Sequence, residues 1–85
     1  MGFEGKGALV TGSGRGIGEV TAKLFAHKGA AVVILDLSLE NALKVQDDIT
    51  KAGGRALAVQ CDITNEEDVI LAVAAAVKEF GKVDI

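Results

Sequence analysis

The stretch that decides the fold reads Thr11-Gly12-Ser13-Gly14-Arg15-Gly16-Ile17-Gly18. It follows a short apolar run and precedes a segment whose apolar residues have helical spacing, so it predicts a turn between a strand and a helix. Glycines let the backbone of such a turn bend sharply and approach a ligand closely. The unpaired N–H groups at the start of the helix favour an anion, here a pyrophosphate. Taken alone, the glycines are also compatible with a purely structural turn, which the sequence favours less.

Three short apolar runs have the length and composition of buried strands. They are rich in Val, Ile and Leu and lack clean polar alternation, which is typical of parallel strands covered on both faces. The runs occupy residues 8–11, 31–35 and 56–61. Each run is followed by a segment with helical periodicity, and the second of these segments begins after Ser38.

The apolar spacing also predicts which face of each helix packs on the sheet. The three expected stripes are Ile17, Val20, Leu24 and Phe25; Ala42, Val45, Ile49 and Ala52; and Val69, Val73, Ala76, Val77 and Phe80. At the start of the third helix, Thr64 and Glu67 have the spacing of a capping box.

Strand and helix thus alternate three times, and residues 83–85 have the composition of a fourth strand's beginning. Right-handed crossovers place the strands in the order 3-2-1, with the first two helices on one face of the sheet and the third helix toward the other. The sequence therefore predicts an α/β fold with a doubly wound parallel sheet in three layers. Without a linker or repeat, residues 1–85 are expected to form a single domain that is incomplete beyond the third helix.

Composition excludes several classes of protein. The chain is 49% apolar and 25% charged with a net charge of −3, values typical of a soluble globular protein that does not bind nucleic acid. One Cys and one His give neither an internal disulfide nor a metal cluster, so no metal site is expected. No segment resembles a membrane span or a signal peptide, and a cytoplasmic location is expected.

Two acidic residues follow neighbouring strands. Asp36 ends the second strand roughly twenty residues beyond the glycine loop, where a carboxylate can accept hydrogen bonds from both hydroxyls of an adenosine ribose. Asp62 ends the third strand and has two open interpretations, a contact with the adenine amino group or a role in starting the next helix. The Ser13 hydroxyl also has two, a contact with a phosphate or a place in the turn. Because the carboxyl ends of parallel strands meet at one edge of the sheet, these features are expected to share one cleft.

The spacing of the glycines distinguishes between two dinucleotide-binding motifs. G-x-G-x-x-G does not fit, because Ile17 and Glu19 occupy the positions where the last glycine would fall. The motif that fits is T-G-x-x-x-G-x-G, and with it the chain resembles the short-chain dehydrogenase/reductase family. The resemblance extends over nearly the whole chain, through Phe3-x-Gly5-Lys6, Leu35-Asp36, Cys61-Asp62-Ile63-Thr64 and Phe80-Gly81-Lys82-Val83-Asp84-Ile85.

The resemblance implies a Rossmann-like, NAD(P)-binding domain of an oxidoreductase. Such enzymes move hydride between the nicotinamide and a carbonyl or secondary alcohol, and 3-oxoacyl-carrier-protein reductases are among the similar members. The cofactor-binding residues expected on this basis are Gly12, Ser13, Gly14, Arg15, Gly16, Ile17, Gly18, Asp36, Asp62 and Ile63.

The family's catalytic motifs have no counterpart in these residues. Members carry an Asn-Asn-Ala-Gly segment, a Ser and a Tyr-x-x-x-Lys motif, whereas this sequence contains no Tyr. No catalytic residue is therefore expected. The chain is interpreted as the N-terminal, cofactor-binding part of such an enzyme, inactive when alone.

Asp36 and Arg15 favour different cofactors. A carboxylate at the ribose repels the 2′-phosphate of NADP, at a cost of several kcal/mol for a desolvated contact. A basic residue at position 15 would attract that phosphate. Losing Arg15 removes an attraction whereas keeping Asp36 imposes a repulsion, so NAD is the expected cofactor.

Two other functions remain open from the sequence. One is a non-catalytic nucleotide-binding or interaction module that captures a full-length relative through the open edge of the sheet. Separately, the chain alone is expected to self-associate through the unpaired edge of the first strand or through the third helix. A methyltransferase also has a glycine loop after its first strand, but Val10 occupies the place where those enzymes usually carry an acid.

Overall fold

The computed structural model describes residues 2–85 and contains three parallel strands that alternate with three helices. In chain order they are β1 (Gly7–Thr11), α1 (Gly16–His27), β2 (Ala31–Asp36), α2 (Leu39–Lys51), β3 (Arg55–Gln60) and α3 (Glu66–Phe80). The sheet order is β1-β2-β3, with β2 paired in parallel to both neighbours. The predicted α/β fold, with its Rossmann-like βαβαβα order, is confirmed.

The central strand β2 divides the core into two layers. All six of its residues are buried, and successive side chains point to opposite faces of the sheet. On one face Val32 and Ile34 pack with residues of α1 and α2, and on the other Val33 and Leu35 pack with residues of α3. The helices therefore cover the sheet from both sides, as the crossover argument predicted.

The stripe predicted for α1 is wrong for three of its four residues. Ile17, Val20 and Leu24 are 87%, 67% and 52% exposed, while Ala22 is fully buried and Phe25 packs against its cluster. α1 has apolar residues around much of its circumference, so periodicity alone did not identify the buried face. The face in contact with the sheet carries small residues, which let a helix lie close to the strands.

The stripe of α2 is confirmed for Ala42, Val45 and Ile49, which are all buried. Ala52 is the exception, because it caps the helix and is exposed. Ser38 is the N-cap of α2, as its position suggested, and its side chain accepts a hydrogen bond from the Asn41 N–H.

The start of α3 differs from the predicted capping box. The N-cap is Asn65, whose side-chain oxygen accepts a hydrogen bond from the Asp68 N–H at 3.1 Å. Thr64 lies before the cap and donates its hydroxyl to Asp62. An Asn at the cap satisfies the same unpaired N–H groups that the Thr64–Glu67 pair was expected to satisfy.

α3 buries Ala72 and Ala76 on the sheet, and only part of its predicted stripe is covered. Val73 and Val77 are 40% and 45% exposed. An apolar face of α3 therefore remains at the surface.

Residues 83–85 run beside β1. The N–H groups of Asp84 and Ile85 donate to the Gly7 carbonyl at 2.7 and 3.1 Å, and the Leu9 N–H donates to the Ile85 carbonyl at 2.8 Å. Alternate residues of a strand direct their hydrogen bonds to opposite edges, so this segment covers part of the β1 edge that does not pair with β2. The predicted fourth-strand position is occupied, although the segment is not a regular strand. Within residues 2–85, no helix has both the length and the apolar character needed to cross a membrane.

Candidate functional site

A cleft of about 580 Å³ opens at the carboxyl edge of the sheet. Its volume lies within the range of about 300–1,000 Å³ that is usual for small-molecule sites. The residues that line it are Gly12, Arg15, Gly16, Ile17, Gly18, Asp36, Leu37, Cys61, Asp62, Ile63 and Thr64. The structure thus brings together all the predicted site residues except Ser13 and Gly14.

The glycine loop is shaped by backbone conformations that favour glycine. Gly12 and Gly16 have φ angles of 60° and 62°, in the left-handed region that other residues rarely adopt. At Gly18 a Cβ atom would collide with the carbonyl oxygen of Gly12. The loop therefore lies directly against the first turn of α1, and glycine at position 18 is what permits that contact.

The N-terminus of α1 is suited to an anion. Its N-cap is Arg15, which has an extended backbone and makes no side-chain capping hydrogen bond. The first N–H groups of a helix have no partner within the helix, and the helix dipole adds partial positive charge there. Because Arg15 and Gly16 line the cleft, a phosphate placed there would meet both the backbone N–H groups and the guanidinium charge.

Asp36 is held in place by two backbone hydrogen bonds. Its side chain accepts from the Gly14 N–H at 3.0 Å through Oδ2 and from the Ser38 N–H at 2.9 Å through Oδ1. The residue is 8% exposed and still lines the cleft. A carboxylate has about four lone-pair positions, so each oxygen keeps capacity to accept a hydrogen bond from a ligand hydroxyl.

Ser13 and Gly14 lie behind the cleft and are both buried. The Ser13 hydroxyl donates to the Val10 carbonyl at 2.6 Å and accepts from the Leu35 N–H at 3.2 Å. Its single proton is therefore already used, and the structure favours the turn interpretation over a phosphate contact. The Gly14 N–H is likewise committed to Asp36.

The structure supports a role for Asp62 at the start of α3, while its contact with adenine stays a prediction. Its Oδ1 accepts from the Thr64 N–H at 2.9 Å and from the Thr64 hydroxyl at 2.6 Å, so it shapes the turn that precedes α3. These two hydrogen bonds, that of the hydroxyl above all, hold the pKa of the Asp62 carboxyl below its usual value. The charged side chain also lines the cleft beside Ile63.

Three lining residues were missed by the sequence reasoning: Leu37, Cys61 and Thr64. For Leu37 the available sequence signal was an apolar residue directly after Asp36. In the structure its side chain is 67% exposed. Cys61 is buried, and that burial, together with the charges of Asp68 and Asp62, raises the pKa of its thiol. The thiol is therefore uncharged at physiological pH and forms part of the wall of the cleft. In the part of the chain that the structure describes, no cluster of side chains suits a metal ion.

Comparisons with known proteins agree with this geometry. The family model described as short chain dehydrogenase matches residues 6–85. The 7alpha-hydroxysteroid dehydrogenase of Escherichia coli (strain K12) is 44% identical over 83 residues, which are 98% of this chain and 32% of that protein. The cyclohexanol dehydrogenase of Acinetobacter sp. (strain SE19) is 47% identical over 79 residues, which are 93% of this chain and 32% of that protein.

Solved structures give the same result. A hydroxysteroid dehydrogenase from Escherichia coli superposes with a TM-score of 0.96 and 43% identity, covering 98% of this chain and 35% of that one. A 7 alpha-hydroxysteroid dehydrogenase complexed with NADH and 7-oxo glycochenodeoxycholic acid superposes with a TM-score of 0.94 and 43% identity, covering 96% and 32%. The chain spans about a third of the length of these relatives.

Proposed function

This chain belongs to the short-chain dehydrogenase family, and from that premise we propose that its cleft binds NAD as part of an oxidoreductase acting on a carbonyl or secondary alcohol. The observation that carries the proposal is the position of two groups in one cleft. The N-terminus of α1 offers backbone N–H groups to a diphosphate, and Asp36 offers a carboxylate to the neighbouring ribose.

Different residues of the cleft would contact different parts of the dinucleotide. Gly12 and the segment 15–18 would contact the diphosphate, and Asp36 would accept hydrogen bonds from the ribose hydroxyls. Asp62 and Ile63 lie at the end of β3, where they would meet the adenine. Ser13 and Gly14, which the sequence placed among the contacts, would support the loop from behind.

The dinucleotide, when bound, supplies the hydride acceptor or donor. The chain's own residues bind and orient it. The described cleft contains no tyrosine, because the sequence has none, and we propose that the chain alone does not catalyse the reaction.

The choice of NAD over NADP rests on the fixed position of Asp36. Because two backbone N–H groups hold the carboxylate, turning it away to admit a second anion would break both hydrogen bonds. A 2′-phosphate would face it at close range in a poorly solvated site, which costs several kcal/mol. Arg15 would recover only part of that loss.

Calorimetric titration of the chain with NAD, NADP and S-adenosylmethionine tests this proposal. We expect NAD to bind more tightly than NADP and S-adenosylmethionine to give no heat. Tighter binding of S-adenosylmethionine would favour a methyltransferase instead, and equal or tighter binding of NADP would refute the assignment of NAD.

Self-association is a second proposal, supported by the exposed apolar face of α3. Val77 is 45% exposed on this face, and Leu43 on α2 is exposed to the same extent. We expect sedimentation velocity to show concentration-dependent oligomers that Val77→Lys reduces and Leu43→Lys does not. A monomer at every concentration would refute this proposal.

We also propose a reducing compartment, the cytoplasm, for this protein. The support is its single cysteine, which is buried and free.

A further inference from the structure

Ser13 occupies the point where β1 and β2 separate. The strands are in register up to the pair Thr11–Leu35, and Ser13 then binds both backbone groups of Leu35. Its N–H donates to the Leu35 carbonyl at 3.0 Å, and its hydroxyl accepts from the Leu35 N–H at 3.2 Å. The same hydroxyl donates to the Val10 carbonyl at 2.6 Å. A side chain thus stands between two strands, bridging a carbonyl of one and an N–H of the other.

The next residue of the loop makes a matching contact with the next residue of the strand. Gly14 follows Ser13 and donates its N–H to the side chain of Asp36, which follows Leu35. A Cβ on Gly14 would lie 2.7 Å from Asp36 Oδ2, so the fit leaves no room for a side chain. Two consecutive loop residues are thereby fastened to two consecutive strand residues.

We propose that Ser13 is a positioning residue for dinucleotide binding, one that touches no ligand and fixes the distance between the glycine loop and Asp36. This inference rests on the proposed function. The diphosphate and the adenosine ribose of one ligand are covalently linked, so the N-terminus of α1 and the Asp36 carboxylate must be held at a matching distance. Bonds formed before the ligand arrives remove the cost of ordering the loop on binding.

Ser13→Ala removes the bridging oxygen. The Leu35 N–H and the Val10 carbonyl then lose their shared partner, and they can pair with each other only if the ends of the two strands move. Movement of the strand ends would shift the loop relative to Asp36, and without it the two groups stay unpaired and the loop is held less firmly. A net loss of about one hydrogen bond's contribution corresponds to roughly a tenfold weaker affinity for a ligand that contacts both parts.

The affinities of two ligands distinguish a role of Ser13 in positioning the loop from a general loss of protein stability. ADP-ribose spans the loop and Asp36, whereas adenosine lacks phosphates and reaches only the Asp36 and Asp62 end of the cleft. We expect Ser13→Ala to weaken ADP-ribose about tenfold and adenosine less than about twofold in titrations followed by amide chemical shifts. Gln46→Ala is the matched control, because Gln46 Oε1 accepts from the Ala58 N–H at 2.7 Å and so ties α2 to β3 and takes no part in the β1–β2 junction. It should leave the ratio of the two affinities unchanged.

A measurement on the unchanged protein covers the case in which Ser13→Ala does not fold. Without ligand, the amide hydrogens of Ser13, Gly14 and Leu35 should exchange slowly, because all three are bonded across the β1–β2 junction. Fast exchange of the Ser13 and Gly14 amides until ADP-ribose is added would overturn the proposal, as would equal loss of affinity for both ligands or no loss at all. If the unchanged protein binds neither ADP-ribose nor NAD, the proposed function fails and the positioning role fails with it.

Discussion

Replacing Asp36 by Asn tests whether this side chain both holds the glycine loop by a hydrogen bond and accepts hydrogen bonds from the ribose. The substitution keeps the shape but exchanges one acceptor oxygen for an NH₂ group, which cannot accept. The Gly14 and Ser38 N–H groups each use a different oxygen of the carboxylate, so one of them loses its partner. A hydrogen bond to a charged group contributes about 1.5–3 kcal/mol, and the free energy of unfolding should fall by about that amount.

The loss of an acceptor oxygen also weakens cofactor binding. An amide offers fewer acceptor positions to the two ribose hydroxyls, so NAD should bind roughly 10- to 100-fold more weakly. NADP should be affected less, because the negative charge that repels its 2′-phosphate is gone. The preference for NAD over NADP should therefore shrink by at least about tenfold.

Urea unfolding and calorimetric titration measure the two effects. Asp47→Asn is the matched control, because Asp47 pairs with Lys51 at 2.9 Å at the surface, with side chains 60% and 75% exposed. Solvent screens such an exposed pair, so its loss should change the stability little, and the titrations should not change. If Asp36→Asn kept both the wild-type stability and the wild-type ratio of NAD to NADP affinity, the argument for Asp36 would be refuted.

Three further predictions concern the loop, the sheet edge and the cleft wall. Gly18→Ala should lower the free energy of unfolding by about 1–3 kcal/mol and abolish NAD binding, because its Cβ would overlap the Gly12 carbonyl; unchanged urea midpoints would contradict this. The hydrogen bond from the Gly7 N–H holds the pKa of the Asp84 carboxyl below its ordinary 3.8. The stability that the charged carboxylate contributes is therefore present above that pH and is lost as the pH falls through the lower pKa of the folded state. Unfolding measured from pH 6 to pH 2.5 should accordingly show a smaller acid-induced loss for Asp84→Asn than for the wild type, and identical pH profiles would count against it. Cys61, whose pKa is raised mainly by burial, should react with iodoacetamide at least about 100-fold more slowly in the native protein than in urea; equal rates would show that the wall of the cleft is open.

The order of the elements and the location of the cleft could be predicted from the sequence because both depend on local signals. Uninterrupted apolar runs predict buried strands, and the glycine motif falls between the first strand and the first helix. Asp36 and Asp62 follow neighbouring strands, and parallel topology brings strand ends together regardless of the details of packing. The cleft therefore contains the predicted loop and both carboxylates.

The faces of the helices and the direction of single side chains could not be predicted in the same way. Along α1, apolar residues fit more than one stripe, and the choice depends on how closely the helix approaches the sheet. Ser13 illustrates the same limit, since the sequence fits a phosphate contact and a place in the turn equally well, and the contacts with Val10 and Leu35 depend on how β1 and β2 separate. The N-cap of α3 was misplaced by one residue because Thr64 and Asn65 are both good caps, and a contact with Asp62 decides between them.

The central claim is that a dinucleotide lies with its diphosphate at the start of α1 and its ribose on Asp36. Titration of the isotopically labelled chain with NAD, followed by backbone amide chemical shifts, tests this most directly. We predict that the largest shifts fall on residues 12–18, 36–37 and 61–64 and follow a single saturating curve. A second groove lies between α1 and α2 and is lined by residues that include Lys23, His27 and Asp48. Shifts confined to that groove, or none at saturating NAD, would contradict the claim.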